Sequence, residues 1–541
     1  MSAPTPFPEL PAPSPAMLWD AWGDGSRDAH LPPGARTLAA ALLKGSPHPV
    51  ARRGLDAVRV TPSQLTRDDH AALLAVTEVA IDDTARLLHA GGKSTPDLLA
   101  RRTESRTPAP GAVVTPSTHE EVMATLRVCA ERGIAVVPFG GGSSVVGGLV
   151  PAGGDHDGVV SLDLRRTAAL LDLDEVSLLA RFGAGTTGPQ AEELLARHGL
   201  TLGHFPQSFE FATIGGFAAT RSSGQASRGY GRFDDLVHAL RVATPSGELD
   251  LGVAPASAAG PDLRQLFLGS EGALGVITEV VVRVRPIPAA TVYAAWSFPD
   301  FASGAAALRD LTQAGIRPTV VRLSDAAETK VNALMGGHLS RLRGCLAVAT
   351  FEGDDTDGAD AVRAATDAVF RRHGARPRGE DPARSWERGR FAAPVLRDAL
   401  LDIGVLAETL ETAATWSALD GVKEAVTAAL TDALTAAGTA PVIMCHISHV
   451  YPAGASLYFT VVAALTEDPA PQWAAAKEAA SRAIVDAGGT ITHHHAVGRD
   501  HLPYLEDEIG ALGVEILRAV KRTVDPTGIM NPGALVAPPS H

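Results

Sequence analysis

A run of glycines directly after a short apolar segment is the most informative feature of this chain. Residues 138–149 read Pro-Phe-Gly-Gly-Gly-Ser-Ser-Val-Val-Gly-Gly-Leu, and residues 134–137 before them are apolar. Glycines at the end of a strand let backbone N–H groups gather around phosphate oxygens. A P-loop is excluded because no Lys-Ser or Lys-Thr pair follows the last glycine, and a Rossmann motif because its third glycine would fall on Val145. The run is therefore another kind of phosphate-binding loop, or a tight surface turn.

Four further segments carry the hydroxyls and small residues that suit a bound dinucleotide. They are residues 206–216, 220–224, 230–237 and 269–278. Their hydroxyls and backbone N–H groups suit a diphosphate, and their backbone groups suit the rim of an isoalloxazine ring. Each segment alone is compatible with an ordinary turn. Their occurrence in this order and at this spacing predicts a flavin dinucleotide site.

Three consecutive histidines, His493, His494 and His495, are candidates for proton transfer. The ordinary pKa of histidine lies near neutral pH, and a loop followed by Gly498 and Arg499 suits a position over a flavin. Neighbouring side chains of a strand point to opposite faces and do not all converge on one ion, so we expect no metal. A solvated loop is the alternative interpretation of the triplet.

The other candidates are a tyrosine, two arginines and two histidines. Tyr458 lies on a predicted strand, where a packed aromatic residue is the simpler interpretation. Arg397 is either a surface ion-pair partner or, as a planar guanidinium, an anion ligand, and Arg322 is a second basic candidate. His446 and His449 share one predicted strand at odd spacing, so at most one of them should face a site, and we interpret them as core histidines.

Apolar periodicity predicts the elements that hold these residues in place. Helical spacing extends over residues 68–88, and a Thr118–Glu121 capping box begins a helix that ends near residue 132. Short apolar or alternating runs predict strands at 134–137, 159–164, 177–182, 275–285, 291–297, 319–323, 346–351, 442–450 and 457–464.

This alternation of helices and strands predicts an α+β fold with a division into four parts. They are 1–104, an irregular and helical N-terminal extension; 105–289, a cofactor-binding domain; 290–505, a cap domain that binds substrate; and 506–541, a C-terminal segment that returns to the cofactor-binding domain.

Composition limits the class of protein. A chain of 541 residues needs two or three packed units, and its formal net charge of −14 leaves no basic stretch for a nucleic-acid partner. Cys129, Cys345 and Cys445 are far apart in sequence, so we expect neither a zinc site nor a disulfide framework. Because no signal-peptide pattern, peroxisomal Ser-Lys-Leu end or membrane-spanning apolar run is present, we expect a cytoplasmic protein.

The motifs resemble those of a known flavoprotein family. Residues 105–289 resemble the PCMH-type FAD-binding domain of the vanillyl-alcohol-oxidase superfamily. The chain from about residue 75 onward resembles, more narrowly, the alkylglycerone-phosphate synthase family, also called alkyldihydroxyacetonephosphate synthase. That narrower resemblance rests on residues 397–400 with 410–412, on 451–459, and on 493–498, in which the triple histidine is the most specific motif.

The resemblance implies FAD as the cofactor. It also implies that the flavin is held without a covalent bond, because oxidases that tether it from the glycine loop use a histidine where this chain has Ser143 and Ser144. The implied FAD-contacting residues are Pro138, Phe139, Gly140, Gly141, Gly142, Ser143, Ser144, Gln207, Ser208, Phe209, Glu210, Phe211, Ala212, Thr213, Thr220, Arg221, Ser222, Ser223, Glu271, Gly272, Ala273, Leu274, Gly275, Val276 and Ile277.

The resemblance further implies roles and a reaction. Tyr458 would be the acid/base, with its pKa lowered by nearby histidine or arginine, and the His493–His495 loop would assist it. Arg397 would hold a substrate phosphate, with Arg322 beside it. The implied reaction of ether-lipid synthesis exchanges the acyl chain of acyl-dihydroxyacetone phosphate for a fatty alcohol through an adduct at flavin N5, without net redox change.

The sequence departs from the family at several positions and leaves alternatives open. His446 replaces an arginine, Pro452 an aspartate, and residues 499–501 a Lys-Leu-Arg pattern, which puts the lipid substrate in doubt. The alternatives are an FAD-linked oxidoreductase of 2-hydroxy acids or alcohols, and an inactive FAD- or lipid-binding module. For partners we expect a phosphorylated lipid as the small-molecule substrate, a homodimer, and peripheral contact with a membrane.

Overall fold

The structure, a computed structural model, describes residues 10–12, 15–27, 31, 33–43, 48–335 and 344–536. Most of the proline-rich first sixteen residues, which we predicted to be irregular, and the last five residues lie outside this range. Within the described residues the chain folds into helices and sheets, which confirms the predicted α+β class.

Helices occur throughout the described residues, with strands between them. They are α1 (Pro33–Leu43), α2 (Arg67–Leu74), α3 (Asp83–Leu88), α4 (Thr95–Thr103), α5 (His119–Arg132), α6 (Gly188–Ala196), α7 (Ile214–Thr220), α8 (Ser227–Tyr230), α9 (Phe233–Leu236), α10 (Arg264–Phe267), α11 (Phe301–Gln313), α12 (Ala326–Met335), α13 (Thr356–Arg372), α14 (Asp381–Gly389), α15 (Ala393–Leu401), α16 (Leu419–Ala436), α17 (Pro469–Asp486) and α18 (Leu505–Val524).

The strands form three larger sheets and two short pairs among the described residues. They are β1 (Arg59–Val60), β2 (Val79–Ala80), β3 (Arg106–Thr107), β4 (Ala112–Val114), β5 (Ile134–Phe139), β6 (Gly158–Asp163), β7 (Leu170–Asp174), β8 (Leu179–Gly183), β9 (Leu200–Thr201), β10 (Val237–Thr244), β11 (Gly247–Leu251), β12 (Val276–Arg283), β13 (Arg285–Pro286), β14 (Ala290–Phe298), β15 (Val320–Ser324), β16 (Cys345–Gly353), β17 (Arg376–Gly379), β18 (Val405–Thr415), β19 (Val442–Ile447) and β20 (Gly454–Ala464).

A four-stranded sheet in the order β2-β4-β6-β5 carries the glycine run at the end of β5. Strands β5 and β6 are parallel, and α5 connects β4 to β5 as a crossover. Helix α5 begins where the Thr118 hydroxyl accepts the N–H of Glu121 and ends at Gly133, whose φ of 62° only glycine adopts easily. The sheet thereby fixes the direction in which the glycine run leaves β5.

A five-stranded antiparallel sheet in the order β11-β10-β12-β8-β7 lies beside it. Strand β12 alternates as the sequence predicts, because Val280 and Val282 are buried while Arg283 is exposed. Helix α7 packs on this sheet with Ile214 and Phe217 in its core. This sheet therefore supports the segments that frame the predicted dinucleotide.

A seven-stranded antiparallel sheet in the order β17-β14-β16-β15-β19-β20-β18 forms the rest of the molecule. Its longest pairing joins β18 to β20 over their full length and sets Tyr458 opposite Glu411. On the other side of β20, Tyr458 lies opposite His446 of β19. Two predicted candidates, Tyr458 and His446, and one carboxylate, Glu411, thus meet on neighbouring strands.

The C-terminal residues contact the sheet that carries the glycine run. The N–H of Val136 donates to the Ile529 carbonyl at 2.8 Å, and the N–H of Asn531 donates to the Val136 carbonyl at 2.8 Å. Helix α18, which precedes them, is broken at Gly510, where φ is 74° and ψ is 161°. Residues 529–531 thus contact the sheet of the predicted cofactor-binding domain, as a return of the segment 506–541 to that domain would require. The four domain boundaries stay a prediction.

The N-terminal part is less helical than predicted. The helical spacing over residues 68–88 is wrong as a single helix, because Val79 and Ala80 form β2 and pair with Val114 and Val113. Residues 17–27 contain no helix and are held instead by side chains of later elements, for example by the Lys93 ammonium on the Trp19 carbonyl at 3.1 Å. Tertiary pairing outweighs local periodicity at both places.

Among the described residues, no helix combines the length and the apolar composition that crossing a membrane requires.

Candidate active site

One cavity of about 1640 Å³ lies where the three sheets meet. Its wall includes the whole glycine run from Pro138 to Ser144, and also Tyr458, His494, His495, Arg397 and Arg322. The structure therefore brings the predicted cofactor loop and most of the predicted reactive side chains to one space.

The glycine run lets the backbone pack too closely for any larger residue. A Cβ atom on Gly141 would lie 2.0 Å from the Phe211 carbonyl oxygen, and one on Gly148 would lie 2.6 Å from a Glu271 carboxylate oxygen. Gly142 has a φ of 69°, which other residues rarely adopt. The loop is a cradle in which backbone N–H groups are the surface that a ligand meets.

Polar side chains on this part of the wall lack partners in the described structure. The Ser144 hydroxyl, the Gln207 amide nitrogen and the Ser223 hydroxyl are buried and make no hydrogen bond to a described residue. Buried polar atoms without partners are costly, which indicates a ligand rich in acceptors and donors. A cradle for phosphate oxygens with hydroxyls and an amide around it fits a flavin dinucleotide.

Six residues predicted to contact FAD lie away from the cavity wall. Phe209 stacks on Phe391 at 5.8 Å, and Phe211 packs edge-on against Trp22 at 6.1 Å. The remaining four are Glu210, which pairs with Arg27; Arg221, which donates to the Leu268 carbonyl at 3.0 Å; and Ala273 and Leu274, which are fully buried. The other predicted cofactor residues line the cavity.

Tyr458 lies on β20 with its ring among imidazoles. It stacks on His446 at 4.9 Å between ring centroids, and the rings of His495 and His494 follow at 5.8 and 6.0 Å. Burial raises the pKa of Tyr458 to about 12. The expectation of a lowered pKa is therefore wrong, because desolvation of the phenolate outweighs the attraction of Arg322, and the side chain stays a phenol at neutral pH.

The histidine triplet is a loop tied to one buried carboxylate. Glu411 of β18 accepts the backbone N–H groups of His493, His494 and His495 at 2.7, 3.2 and 3.0 Å. It also accepts the Thr492 hydroxyl at 2.6 Å. Burial alone would raise the pKa of Glu411, but the neighbouring imidazoles and this hydroxyl hold the pKa well below its usual range. An ionised Glu411 fixes the shape of the loop.

The three imidazoles are neutral at physiological pH. Burial lowers the pKa of His494 to about 4, and burial together with the adjacent imidazole holds the pKa of His493 well below its usual range. The two Nδ1 atoms of His493 and His494 share a hydrogen bond of 2.9 Å. His494 and His495 line the cavity, whereas His493 lies behind them and lines a second, smaller cavity.

The alternation of side chains along a strand, from which we expected no metal, is absent from this loop. Residues 493–495 belong to no strand, so the alternation of side chains does not apply, and nitrogens of His449, His493 and His494 lie within 4.8 Å of one another. The guanidinium of Arg232 adds positive charge beside His493, whose carbonyl it contacts at 2.9 Å. This charge disfavours a cation, and the expectation of no metal stays a prediction.

His446 and His449 both line the cavity, which contradicts the prediction that at most one would. Strand β19 ends at Ile447, so the alternation of a strand does not continue to His449. His449 stacks on His493 at 5.1 Å, and its buried Nδ1 has no partner among the described residues. The two histidines belong to the cluster around Tyr458 rather than to the core.

The two arginines are anchored by carboxylates. The Nε of Arg397 donates to Asp398 at 2.9 Å and its Nη1 to the Lys93 carbonyl at 2.6 Å, and the side chain is half-buried rather than exposed on the surface. Arg322 donates to Glu328 at 2.6 Å and lies 2.9 Å from the His446 imidazole. Both guanidinium groups line the cavity in fixed orientations.

Residues far apart in sequence complete the site and were missed. We assigned no role to Glu411 from the sequence. We also did not predict that Glu271 connects two distant segments, which it does because its carboxylate accepts the Gly498 N–H at 2.6 Å. Burial raises the pKa of Glu271 to about 7. Asn531 donates to the carbonyls of Gly148 and Glu271 at 3.0 and 2.7 Å. The local signals were the motif around Glu271 and the segment 410–412, but neither indicates these contacts, because the partners lie many residues away.

We expect Glu411→Gln to lower the free energy of unfolding by roughly 3 kcal/mol at pH 7, because it leaves three backbone donors without an anion. The native pKa of Glu411 lies below the unfolded value, so its stabilising contribution is complete above about pH 4.3 and is lost as pH falls toward the native pKa. The measurement is denaturant unfolding of wild type and variant between pH 7 and pH 3. A difference that grows as pH falls would contradict this sign, and the exposed Glu424→Gln is the control.

Known proteins are similar to this chain over most of its length. Residues 110–251 match the family model of the FAD binding domain, and residues 287–535 that of the C-terminal domain of FAD linked oxidases. An alkyldihydroxyacetonephosphate synthase of Dictyostelium discoideum is 32% identical over 477 residues, which are 84% of this chain and 78% of the relative. That of Trypanosoma brucei brucei is 31% identical over 500 residues, which are 88% of this chain and 81% of the relative.

A solved structure of an alkyldihydroxyacetonephosphate synthase superposes with a TM-score of 0.83 at 28% identity and covers 95% of this chain and 98% of that one. These matches confirm the predicted fold, a FAD-binding domain with a second α+β domain, and FAD as the cofactor.

Proposed function

The chain belongs to the alkyldihydroxyacetonephosphate synthase family, and from this premise we propose that it exchanges the acyl chain of acyl-dihydroxyacetone phosphate for a fatty alcohol. The enzyme is FAD-dependent. The observation that carries the proposal is one continuous cavity that joins a dinucleotide cradle, a cluster of tyrosine and histidine, and an apolar wall.

The apolar wall suits a long hydrocarbon chain. Beyond Tyr458 the cavity is lined by Ala39, Leu400, Val405, Met444 and Val462, which are buried and pack together in one hydrophobic cluster. A small hydroxy acid would leave this space without a partner, whereas an acyl or alkyl chain would bury its methylene groups there. This wall favours the lipid exchange over oxidation of a 2-hydroxy acid.

Each group of side chains has a proposed task. The bound FAD supplies the reactive N5 centre at which substrate carbon C1 is activated. Tyr458 and the imidazoles of His494 and His495 hold or move protons beside that carbon. Arg397 and Arg322, fixed by their carboxylates, orient the substrate phosphate.

Three further expectations belong to the proposal. FAD is held without a covalent bond, since Ser143 and Ser144 lie in the cradle. The protein works in the cytoplasm as a homodimer. It contacts a membrane peripherally, because both lipid substrates dissolve in membranes.

The test is a product assay under anaerobic conditions. The purified FAD-bound protein is incubated with acyl-dihydroxyacetone phosphate and labelled hexadecanol, and the flavin absorbance is followed throughout. We expect labelled ether product with no net loss of the flavin absorbance. Bleaching of the flavin by 2-hydroxy acids without any ether product would replace the proposal with the oxidoreductase alternative.

We expect Arg397→Lys to raise the KM for acyl-dihydroxyacetone phosphate about tenfold or more, with a smaller change in kcat. A lysine keeps the charge but loses the planar set of donors that binds a phosphate in two places. Initial rates at varied substrate give the split between KM and kcat, and FAD content reports on folding. The exposed Arg372→Lys is the control, and an unchanged KM would remove Arg397 from the phosphate site.

A further inference from the structure

The proposed exchange releases a proton inside the chamber, and the following inference rests on that function. The bond between C1 and the carboxylate oxygen breaks, the carboxylate leaves with the electron pair, and a new bond joins C1 to the alcohol oxygen. The alcohol proton is set free, because a carboxylic acid is ionised at neutral pH. One proton per turnover must therefore leave a buried cavity for solvent.

A second cavity lies on the other side of the histidine loop. Its volume is about 370 Å³, and its wall includes Arg232, His493, His494 and Leu517. The exposed Gln265 lies on its rim, so bulk water has access. His494 lines both this cavity and the large one, and so forms part of the partition between them.

A row of hydrogen bonds leads away from this partition. The Nδ1 of His494 lies 2.9 Å from the Nδ1 of His493, and the Nε2 of His493 lies 2.7 Å from the Tyr451 hydroxyl. Tyr451 is half-buried and lies beside the Arg232 guanidinium, which lines the second cavity. Each neutral imidazole accepts at one ring nitrogen and donates at the other, and the hydroxyl does both, as proton transfer along the row requires.

The charges around the row stabilise a proton at its inner end and oppose a lasting positive charge at its outer end. Glu411 lies 3.4 Å from the His494 Nδ1 and stabilises a proton that arrives there. At the outer end Arg232 disfavours a lasting positive charge near Tyr451 and His493. Among the described residues, His449, His495 and Tyr458 are the other titratable groups that face the pair, and all three side chains are neutral at physiological pH. A proton is therefore accepted at His494, at the inner end, and is not retained at His493 or Tyr451, at the outer end.

We propose that His494, His493 and Tyr451 form a proton exit that leads from the substrate chamber to solvent beside the second cavity. The Nε2 of His494 accepts a proton on the chamber side while its Nδ1 passes one to His493. His493 passes one from Nε2 to the Tyr451 oxygen, and the Tyr451 hydroxyl releases one to water. Each turnover moves one proton outward, no group gains or loses net charge, and each ring is left as its other neutral tautomer. His493 and Tyr451 act through His494 and are positioning residues.

The test measures ether-product formation by His493→Gln and Tyr451→Phe with and without added imidazole. We expect each variant to keep its FAD and its KM, and to lose about tenfold in kcat, because glutamine and phenylalanine interrupt the row. Imidazole, which fits the second cavity, should restore the rate of His493→Gln in a saturable manner and leave the wild type unchanged. Tyr504→Phe, outside the row, is the control and should behave as wild type.

The possible results distinguish a failure of the proposed proton exit from a failure of the proposed function on which it rests. Rescue of His493→Gln by imidazole together with a slower Tyr451→Phe supports the exit. Wild-type rates in both variants, or a loss that imidazole does not restore, overturn the exit while wild-type ether synthesis leaves the proposed function intact. A wild type that forms no ether product overturns the proposed function and the exit with it.

Discussion

Tyr458→Phe should reduce the rate of ether-product formation by about 10²- to 10⁴-fold while the protein remains fully loaded with FAD. The phenylalanine ring can keep the stacking on His446, so the substitution removes little more than the hydroxyl. Because the pKa of Tyr458 is raised to about 12, that hydroxyl carries its proton throughout the working pH range and acts as a donor. The kcat should therefore fall at every pH, without a shift of the profile.

A matched variant separates the hydroxyl from general effects on the sheet. Tyr293 lies in the same seven-stranded sheet, its hydroxyl donates to Glu387 at 2.6 Å, and it lies off the cavity wall. Tyr293→Phe should retain activity close to that of the wild type. If Tyr458→Phe also retained that activity, Tyr458 would have no part in proton transfer and the histidines alone would remain as candidates.

Gly141→Ala should yield a protein that binds little or no FAD. The added Cβ would lie 2.0 Å from the Phe211 carbonyl oxygen and 2.6 Å from its carbon, and both are backbone atoms that cannot turn aside. The loop must then move away from the position in which its N–H groups meet the diphosphate. Absorbance of the purified protein near 450 nm, relative to its absorbance at 280 nm, gives the flavin content.

Acid precipitation provides the second readout for this variant. The wild type should release its flavin into the supernatant, as expected for a cofactor held without a covalent bond, and Gly141→Ala should release almost none. Gly421→Ala is the matched control, because a Cβ there meets nothing within 4 Å and alanine favours the helix α16. A yellow Gly141→Ala protein with full occupancy would exclude the cradle as the diphosphate site.

The candidate cofactor site was predictable because its signals are local. The glycine run follows β5 directly, and the segments around residues 207, 213, 220 and 276 reach the cavity wall as expected. Short-range steric requirements, such as the φ of Gly142, leave a clear trace in the sequence. Phe209 and Phe211 lie off the wall because their side chains find aromatic partners, Phe391 and Trp22, that only the tertiary structure supplies.

Which side chains form the candidate catalytic cluster was predictable, but the pKa values of these side chains were not. The triple histidine marks the loop, yet the carboxylate that shapes it, Glu411, lies on a strand about eighty residues earlier. No spacing rule connects the two, and the raised pKa of Tyr458 follows from burial that the sequence does not display. The inclusion of both His446 and His449 depended on where β19 ends, and element ends are poorly defined by periodicity.

The pairing of Asn531 with Gly148 has a consequence for biosynthesis. The two residues are separated by 383 positions, and the same asparagine also holds the Glu271 carbonyl. A ribosome working at common speeds needs roughly 20–80 s to add that much chain. Throughout that interval the nascent glycine loop lacks its contact with Asn531, so the complete pocket forms only after nearly the whole chain has been synthesised.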